Sequence, residues 1–415
     1  MLLNPFTPSE IARGQQNFFG RFEELRILER ALNQGSIAIE GPIGIGKSSL
    51  LAMGLSRMSE VNSKNCSKYV IAVCNKDIQS IDDAARTLLE SLVKVDEKTK
   101  KLKLMLPKIV EFESSEICSF FTKGRHMAVI KRLVEKEYSR KYLSNDEMLI
   151  IAIDEADKSP KHLAGMIRDI ITYTQQKGIN KIRFIVAGVS PFFQKMIDED
   201  QGIRRFFYKN IFLHSMLEDD SYNLLTTKLE MVIKDAKKKG INIQVEERAV
   251  DRIVKLSGGH PHILQLLGSH MVENENNDPD GILDYHDLLE SLHTICYEDR
   301  AKVYDSIISN LELNNKIDAF KKLLGIASKG FPTIIDLEAA LNIVPIEAIK
   351  WFTENNILYS LSSSDYGLVD EFLRIRIMLD EADTPTQEAE IERNVIERGV
   401  SIVSLDSDFD EDERY

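Results

Sequence analysis

Gly41, Gly46, Lys47 and Ser48 stand in the spacing G-x-x-x-x-G-K-S, and the chemistry of that spacing is phosphate capture. Backbone N–H groups of the loop Gly41-Pro42-Ile43-Gly44-Ile45-Gly46-Lys47-Ser48-Ser49 would cradle phosphate oxygens. The lysine would reach the terminal phosphates, and the Ser48 hydroxyl would bind Mg²⁺. About a hundred residues on, an apolar run closes on Asp154-Glu155. An acid pair in that place serves phosphoryl transfer: Asp154 holds Mg²⁺, and Glu155 orients or activates the attacking water. Ser190 follows a further apolar run and could sense a γ-phosphate or orient water, although a plain turn serine fits the same place. Arg204 and Arg205 could supply a cation to a neighbouring subunit's phosphate or form a solvated basic pair, and both readings stay open here.

These residues need a frame that brings them to one edge. Ile37-Ala38-Ile39 before the loop and Leu50, Leu51 and Met53 after it predict a strand, a glycine turn and a helix start. Further buried strands are predicted over 69–73, 148–153, 182–187 and 210–213, with helices over 81–95 and 160–176 between them. Alternation of that kind builds a parallel α/β sheet whose carboxyl edge carries the ligand. Upstream, Phe22, Leu25, Leu28 and Leu32 form one apolar helical stripe behind an extended lead-in containing Asn4-Pro5-Phe6 and Pro8. Residues 98–145 exceed a minimal βαβ unit and read as an insertion, with a strand candidate at 107–112 and an amphipathic helix at 127–142. Lys131, Arg132, Lys136, Arg140 and Lys141 on that helix are interspersed with glutamates, the pattern of a solvated face.

After 217 the strand signals stop. Helices are predicted at 219–239, 245–256, 263–272, 285–297 and 301–311, with Ser257-Gly258-Gly259-His260-Pro261 breaking one and starting another. Residues 316–327, 334–341 and 345–355 read as three helices followed by a hairpin at 357–361 and 366–369, the outline of a winged helix. The expected organisation is therefore an ATPase core at 1–216, a helical lid and connecting helices at 217–312, a winged-helix-like domain at 313–380 and an acidic, largely disordered tail at 381–415 with one short helix at 387–398.

Composition narrows the function classes. The 415 residues carry a formal charge of −13, but 381–415 holds 12 acidic and 3 basic residues, which leaves 54 acidic and 50 basic before it. The body is thus nearly balanced, and its total charge demands no nucleic-acid partner. No uninterrupted apolar run is long enough for a membrane span, and MLLNPFTPSE has no basic-then-apolar leader pattern, so a soluble cytoplasmic protein is expected. Cys66, Cys74, Cys118 and Cys296 have no C-x-x-C spacing, and the histidines form no H-x-x-x-H pair; neither disulfides nor a transition-metal site is indicated.

In the order Phe18-Phe19-Gly20-Arg21, phosphate loop, Asp154-Glu155, Ser190, paired arginine, Gly258-Gly259-His260-Pro261 and winged helix, residues 4–378 resemble the AAA+ ATPases of the origin-recognition type and the related STAND ATPases. The resemblance implies a P-loop parallel-sheet core, an all-α lid and a C-terminal winged helix, with ATP and Mg²⁺ as ligands. It also implies that Phe19, Gly20 and Pro261 line the adenine pocket. Two departures are plain. Phe22 stands where the STAND pattern has an acid directly after Gly-Arg, with Glu24 as the later acid, and Pro261 between His260 and His262 occupies the place of a lid arginine. The resulting expectation is an ATP-hydrolysing switch that couples nucleotide state to a protein partner or to homo-oligomerisation. Alternatives are a DNA-binding initiator or loader acting through the winged helix, and a nucleotide-bound scaffold without turnover. The stretch 345–355, with one lysine, two glutamates and no arginine, is a poor footprint for DNA.

Overall fold

The computed structural model describes residues 1–12, 14–60, 68–74, 78–96, 101–104, 125–139, 148–328, 333–355, 357–362, 364–382 and 385–398. Contacts divide the chain into two units, 11–214 and 1–10 with 215–415.

The first unit opens with α1 (Phe22–Leu32), β1 (Ser36–Gly41) and α2 (Lys47–Glu60). Next come β2 (Lys68–Val73), α3 (Ile81–Leu92), and an antiparallel pair of β3 (Val93–Asp96) and β4 (Lys101–Leu104). After α4 (His126–Ser139) the alternation resumes with β5 (Leu149–Asp154), α5 (Pro160–Gln176), β6 (Ile182–Val189), α6 (Phe192–Glu199) and β7 (Phe207–Phe212). The five strands β2-β5-β6-β1-β7 pair in that order, every neighbour parallel, so all carboxyl ends share one edge. Strand parity divides the core. Ala38, Ile151, Ile153, Phe184 and Val186 face a cluster supplied by α3 to α6, whereas Ile37, Ile39, Ile150, Ala152, Ile185 and Ala187 face one supplied by α1 and α2. Both faces are covered, which is why these strands read as unbroken apolar runs.

Local chemistry alters the sequence expectation in three places. Leu25, Leu28 and Leu32 of the α1 stripe are buried, but Phe22 in its first turn is 58% exposed and meets Phe18 edge to face. The helix expected over 81–95 stops at Leu92, where β-branched Val93 and Val95 alternate with Lys94 and Asp96 and enter the β3–β4 ladder. Asp82 on α3 accepts from the backbone N–H of His126 and Met127 and thereby caps α4 from a distant element. The strand candidate at 107–112 lies outside the described residues.

The second unit is mainly helical: α7 (Glu218–Lys238), β8 (Gln244–Val245), α8 (Glu247–Ser257), α9 (Pro261–Asn277), β9 (Ile282–Leu283), α10 (Tyr285–Thr294), α11 (Ala301–Leu313) and α12 (Ile317–Ile326). It continues through β10 (Ile334–Asp336), α13 (Leu337–Leu341), α14 (Ile346–Glu354), β11 (Leu358–Ser360), β12 (Asp365–Leu368), α15 (Phe372–Asp380) and α16 (Pro385–Arg398). Helix ends follow ordinary chemistry: Glu218, Asp219 and Asp220 open α7, Lys237 and Lys238 close it, and Asp284 with Asp287 forms a capping box on α10.

The first ten residues, expected with the core, belong to this unit. Within the Asn4-Pro5-Phe6 segment the Phe6 N–H donates to Asn4 Oδ1 at 3.1 Å, and other polar groups of the first residues pair at long range. Asn4 donates to Ser269 and Glu273, Thr7 N–H to Gln265, and Lys228 to the Pro5 carbonyl, while Gly268 leaves room for the Phe6 ring. The helix expected over 334–341 is split: β-branched Ile334 and Ile335 form β10, the edge of a three-stranded sheet ordered β10-β12-β11, and Asp336 then caps α13 through Ala339 N–H. Residues 385–398, where a short helix over 387–398 is expected within the acidic tail, form α16, which packs on α8, α10 and α15 with Val395 and Ile396 buried. Residues 399–415 lie outside the described residues.

Between α8 and α9, Gly258 and Gly259 both adopt positive φ, and the Gly259 carbonyl accepts from Met216 N–H at 2.8 Å. A Cβ on Gly259 would stand 2.2 Å from the Met216 carbonyl oxygen. Gly259→Ala is therefore expected to destabilise the C-terminal unit by more than the ~1–2 kcal/mol of left-handed backbone strain alone, measured as a drop in chemical-denaturation midpoint.

Candidate functional site

β1 is buried along its whole length and delivers Gly41 to the carboxyl edge of the sheet. The turn that follows depends on glycine at Gly44 (φ 76°) and Gly46 (φ 99°), and among the described residues, chain neighbours apart, no atom lies within 4 Å of where a Gly46 side chain would begin. α2 starts directly at Lys47, so the open side of the turn faces the positive end of a helix. The Lys47 ammonium folds back over the turn and donates to the carbonyls of Gly41 (3.0 Å) and Pro42 (2.6 Å). Burial pushes its pKa down to about 8, against the pull of the Asp157, Asp154 and Glu155 carboxylates, which hold it up. Pro42 and Ile45 are buried, Ile43 is exposed, and Ser48 and Ser49 are half-buried. Ser49 Oγ accepts from Ala12 N–H at 3.1 Å.

Parallel register brings the second motif to the same edge. Gly41 lies opposite Val189, and Ile153 opposite Val186, so β1, β6 and β5 end side by side. Asp154 is buried and accepts from Glu155 N–H at 2.9 Å. Glu155 occupies the left-handed region (φ 52°, ψ 36°), a strained conformation for a residue with a side chain, and its exposed carboxylate lies 3.7 Å from Lys158. Ser190 directly follows β6 and is buried, and its hydroxyl makes no hydrogen bond among the described residues. The structure thus brings Lys47, Ser48, Asp154, Glu155 and Ser190 to one sheet edge.

The other expected positions lie elsewhere. Arg204 and Arg205 are exposed on a 3₁₀ turn, Gln201–Phe206, just before β7, and Arg205 covers the Phe206 ring at 4.7 Å. Phe19 is half-buried and Gly20 buried, immediately before α1. Pro261 is the first residue of α9 in the other unit, a place suited to proline because the missing N–H would be unpaired there anyway. Next to it His262 lies between the Pro8 carbonyl (2.9 Å from Nδ1) and the Arg300 guanidinium (3.0 Å from Nε2). Those partners fit a neutral imidazole that donates from Nδ1, and burial pushes its pKa down.

Sequence reading gave Arg21 no role of its own and missed Glu40 and Asp157. Arg21 donates to the carbonyls of His214 and Ile45 and pairs with Glu24 at 2.9 Å, so the later acid of the Gly-Arg segment steadies a clamp on the phosphate loop. Glu40, directly before Gly41, is buried and accepts from Phe193 N–H at 2.9 Å and from Asn210 Nδ2. Asp157 Oδ1 accepts from Val189 N–H at 3.0 Å. A usable signal existed for Glu40: a carboxylate at the end of the apolar run Ile37-Ala38-Ile39 must find hydrogen-bond donors if the strand is buried.

Among known families, the one described as Novel STAND NTPase 1 matches residues 3–286. No curated protein matches the sequence. Among solved structures, the Walker-type ATPase PABY2304 of Pyrococcus abyssi aligns over 93% of this chain and 99% of its own at 14% identity and a TM-score of 0.54. The ORC2 protein of Aeropyrum pernix, solved in ADPNP–ADP complexes, aligns over 91% and 93% at 14% identity and 0.50. The ORC1 protein of the same organism, solved in complex with DNA, aligns over 88% and 93% at 13% identity and 0.50. At such identities the likeness shows the fold: a parallel-sheet P-loop core with appended helices.

Proposed function

The chain belongs to the novel STAND NTPase 1 family and is a P-loop NTPase of AAA+-like fold, and we propose that it is an Mg²⁺-dependent ATPase switch whose nucleotide state governs self-assembly or partner binding. One observation carries this reading: a lysine at a glycine turn and helix start shares a sheet edge with a strand-end acid pair whose charges act on its ammonium. The site suits the ligand. Gly46 leaves open space beside α2, and the Ser48 hydroxyl with the buried Asp154 carboxylate is a hard-oxygen pair of the kind Mg²⁺ takes.

In this reading Lys47 exchanges the Gly41 and Pro42 carbonyls for phosphate oxygens. Ser48 and Asp154 would hold Mg²⁺, which when bound neutralises charge on the β- and γ-phosphates. Glu155 orients the attacking water and accepts its proton, and Ser190 donates to the γ-phosphate. Phe19 and Gly20, directly ahead of α1, receive adenine. The exposed Arg204 and Arg205 are available to a second subunit's phosphate.

The helices α12 to α14 with the β10-β12-β11 sheet are read as a winged helix that contacts protein. In α14 Lys350 is outnumbered by Glu347 and Glu354, which disfavours duplex DNA even though a structural neighbour was solved with it. No helix among the described residues is long and apolar enough to cross a membrane. Light scattering on the eluting Glu155→Gln chain tests the switch: a larger particle is expected with ATP and Mg²⁺ than with ADP, reverting when Arg204 and Arg205 are both replaced by alanine. Equal masses in both nucleotides would remove self-assembly as the output.

A further inference from the structure

We infer that Glu40 and Asp157 are positioning residues that hold the Ser190 turn in register with the phosphate loop and the acidic turn, an inference that rests on the nucleotide-hydrolysing reading above. The segment from Val189 to Phe193 is gripped at both ends. Its first N–H donates to Asp157 Oδ1 at 3.0 Å and its last to Glu40 Oε1 at 2.9 Å. Each acceptor is built into a different motif. Glu40 immediately precedes Gly41, and Asp157 lies in the 3₁₀ turn directly after Asp154-Glu155.

Neither carboxylate is free to drift. Glu40 is 5% exposed, and its second oxygen accepts from Asn210 Nδ2 on β7 at 2.5 Å, so both oxygens are held. Gly188 lets the Asp157 turn approach: a Cβ there would lie 2.8 Å from Asp157 N and 3.0 Å from its Oδ1. Hydrogen bonds to ionised acceptors are the strong ones, and a buried carboxylate that loses its donors is costly. The Ser190 hydroxyl therefore moves only with the glycine loop and the acid pair, as one unit. A γ-phosphate touched by Ser190 is then felt through Asp157 at the water-activating turn and through Glu40 at the phosphate loop. ADP, which lacks that phosphate, engages none of this linkage.

The test compares ADP and ATPγS binding by titration calorimetry, together with phosphate release, on the full chain and on four variants. Asp157→Ala removes one grip. Glu40→Gln leaves one oxygen to serve two donors and turns an amide N–H₂ towards one of them. Two repairs accompany these: Asp157→Asn keeps the Oδ1 acceptor, and Glu40→Gln with Asn210→Asp restores donor–acceptor matching. Asp157→Ala and Glu40→Gln are expected to lower kcat by about 10²-fold and to erase the preference for ATPγS, with ADP affinity within about twofold of the unaltered chain, and both repairs recover most of the loss.

Unchanged preference and turnover in folded variants, checked by Tm, would overturn the inference. So would a parallel loss of ADP and ATPγS affinity, which marks a purely structural role. An unaltered chain that prefers ATPγS yet releases no phosphate would refute hydrolysis while the nucleotide preference still decides the linkage. An unaltered chain without that preference overturns the linkage itself.

Discussion

Lys47→Ala is expected to lower ATP and ADP affinity by roughly 10²- to 10³-fold, because each hydrogen bond from a charged donor is worth about 1.5–3 kcal/mol and the ammonium can make more than one to phosphate. Charge adds to the loss. Asp154, Glu155 and Asp157 all act on Lys47, and without its ammonium less positive charge offsets these carboxylates beside an anionic ligand. At neutral pH a pKa of about 8 leaves most of the population as the ammonium, so the effect belongs to the charged form. Titration calorimetry checks it, and binding that survives the substitution with less than tenfold loss would remove Lys47 from the site. The fold should persist, since Lys47 contributes two hydrogen bonds to carbonyls of one turn and no apolar core.

Glu155→Gln is expected to separate binding from turnover: nucleotide affinity stays near that of the unaltered chain while kcat falls by about 10²- to 10⁴-fold, the usual worth of a positioned general base. The amide matches the carboxylate in size and can keep the left-handed backbone of Glu155, so the acidic turn is preserved. The ion pair with Lys158 that the change removes is solvent-exposed and worth little. Rapid phosphate-release measurements with and without the substitution decide the matter. Turnover near that of the unaltered chain in the glutamine variant would move the base to another group.

Much of the core is legible because its signals are local. The run Ile37-Ala38-Ile39 closed by a glycine loop, and the run 148–153 closed by two acids, announce strands buried on both faces whose ends meet at one edge. Gly258, Gly259 and Pro261 likewise mark a helix end and a helix start. Less legible were residues whose identity suits two environments. Ile334 and Ile335 fit a helix or an edge strand, and only pairing with Tyr366 and Gly367 selects the strand. Phe22 fits the α1 stripe by spacing, yet the helix begins there and its first turn projects past the core.

By itself the sequence determined the phosphate loop, the strand-end acids, the α/β alternation and the change to helices after 217, since each depends on neighbours a few residues apart. Tertiary structure alone decided that residues 1–10 lie on α7 and α9, that Arg21 clamps Ile45, and that Glu40 and Asp157 grip the Ser190 turn. Glu40 is 153 residues from Phe193 and 170 from Asn210. A buried carboxylate must be satisfied, but the sequence does not say by whom. Parallel pairing across crossover helices is what turns that general requirement into particular partners.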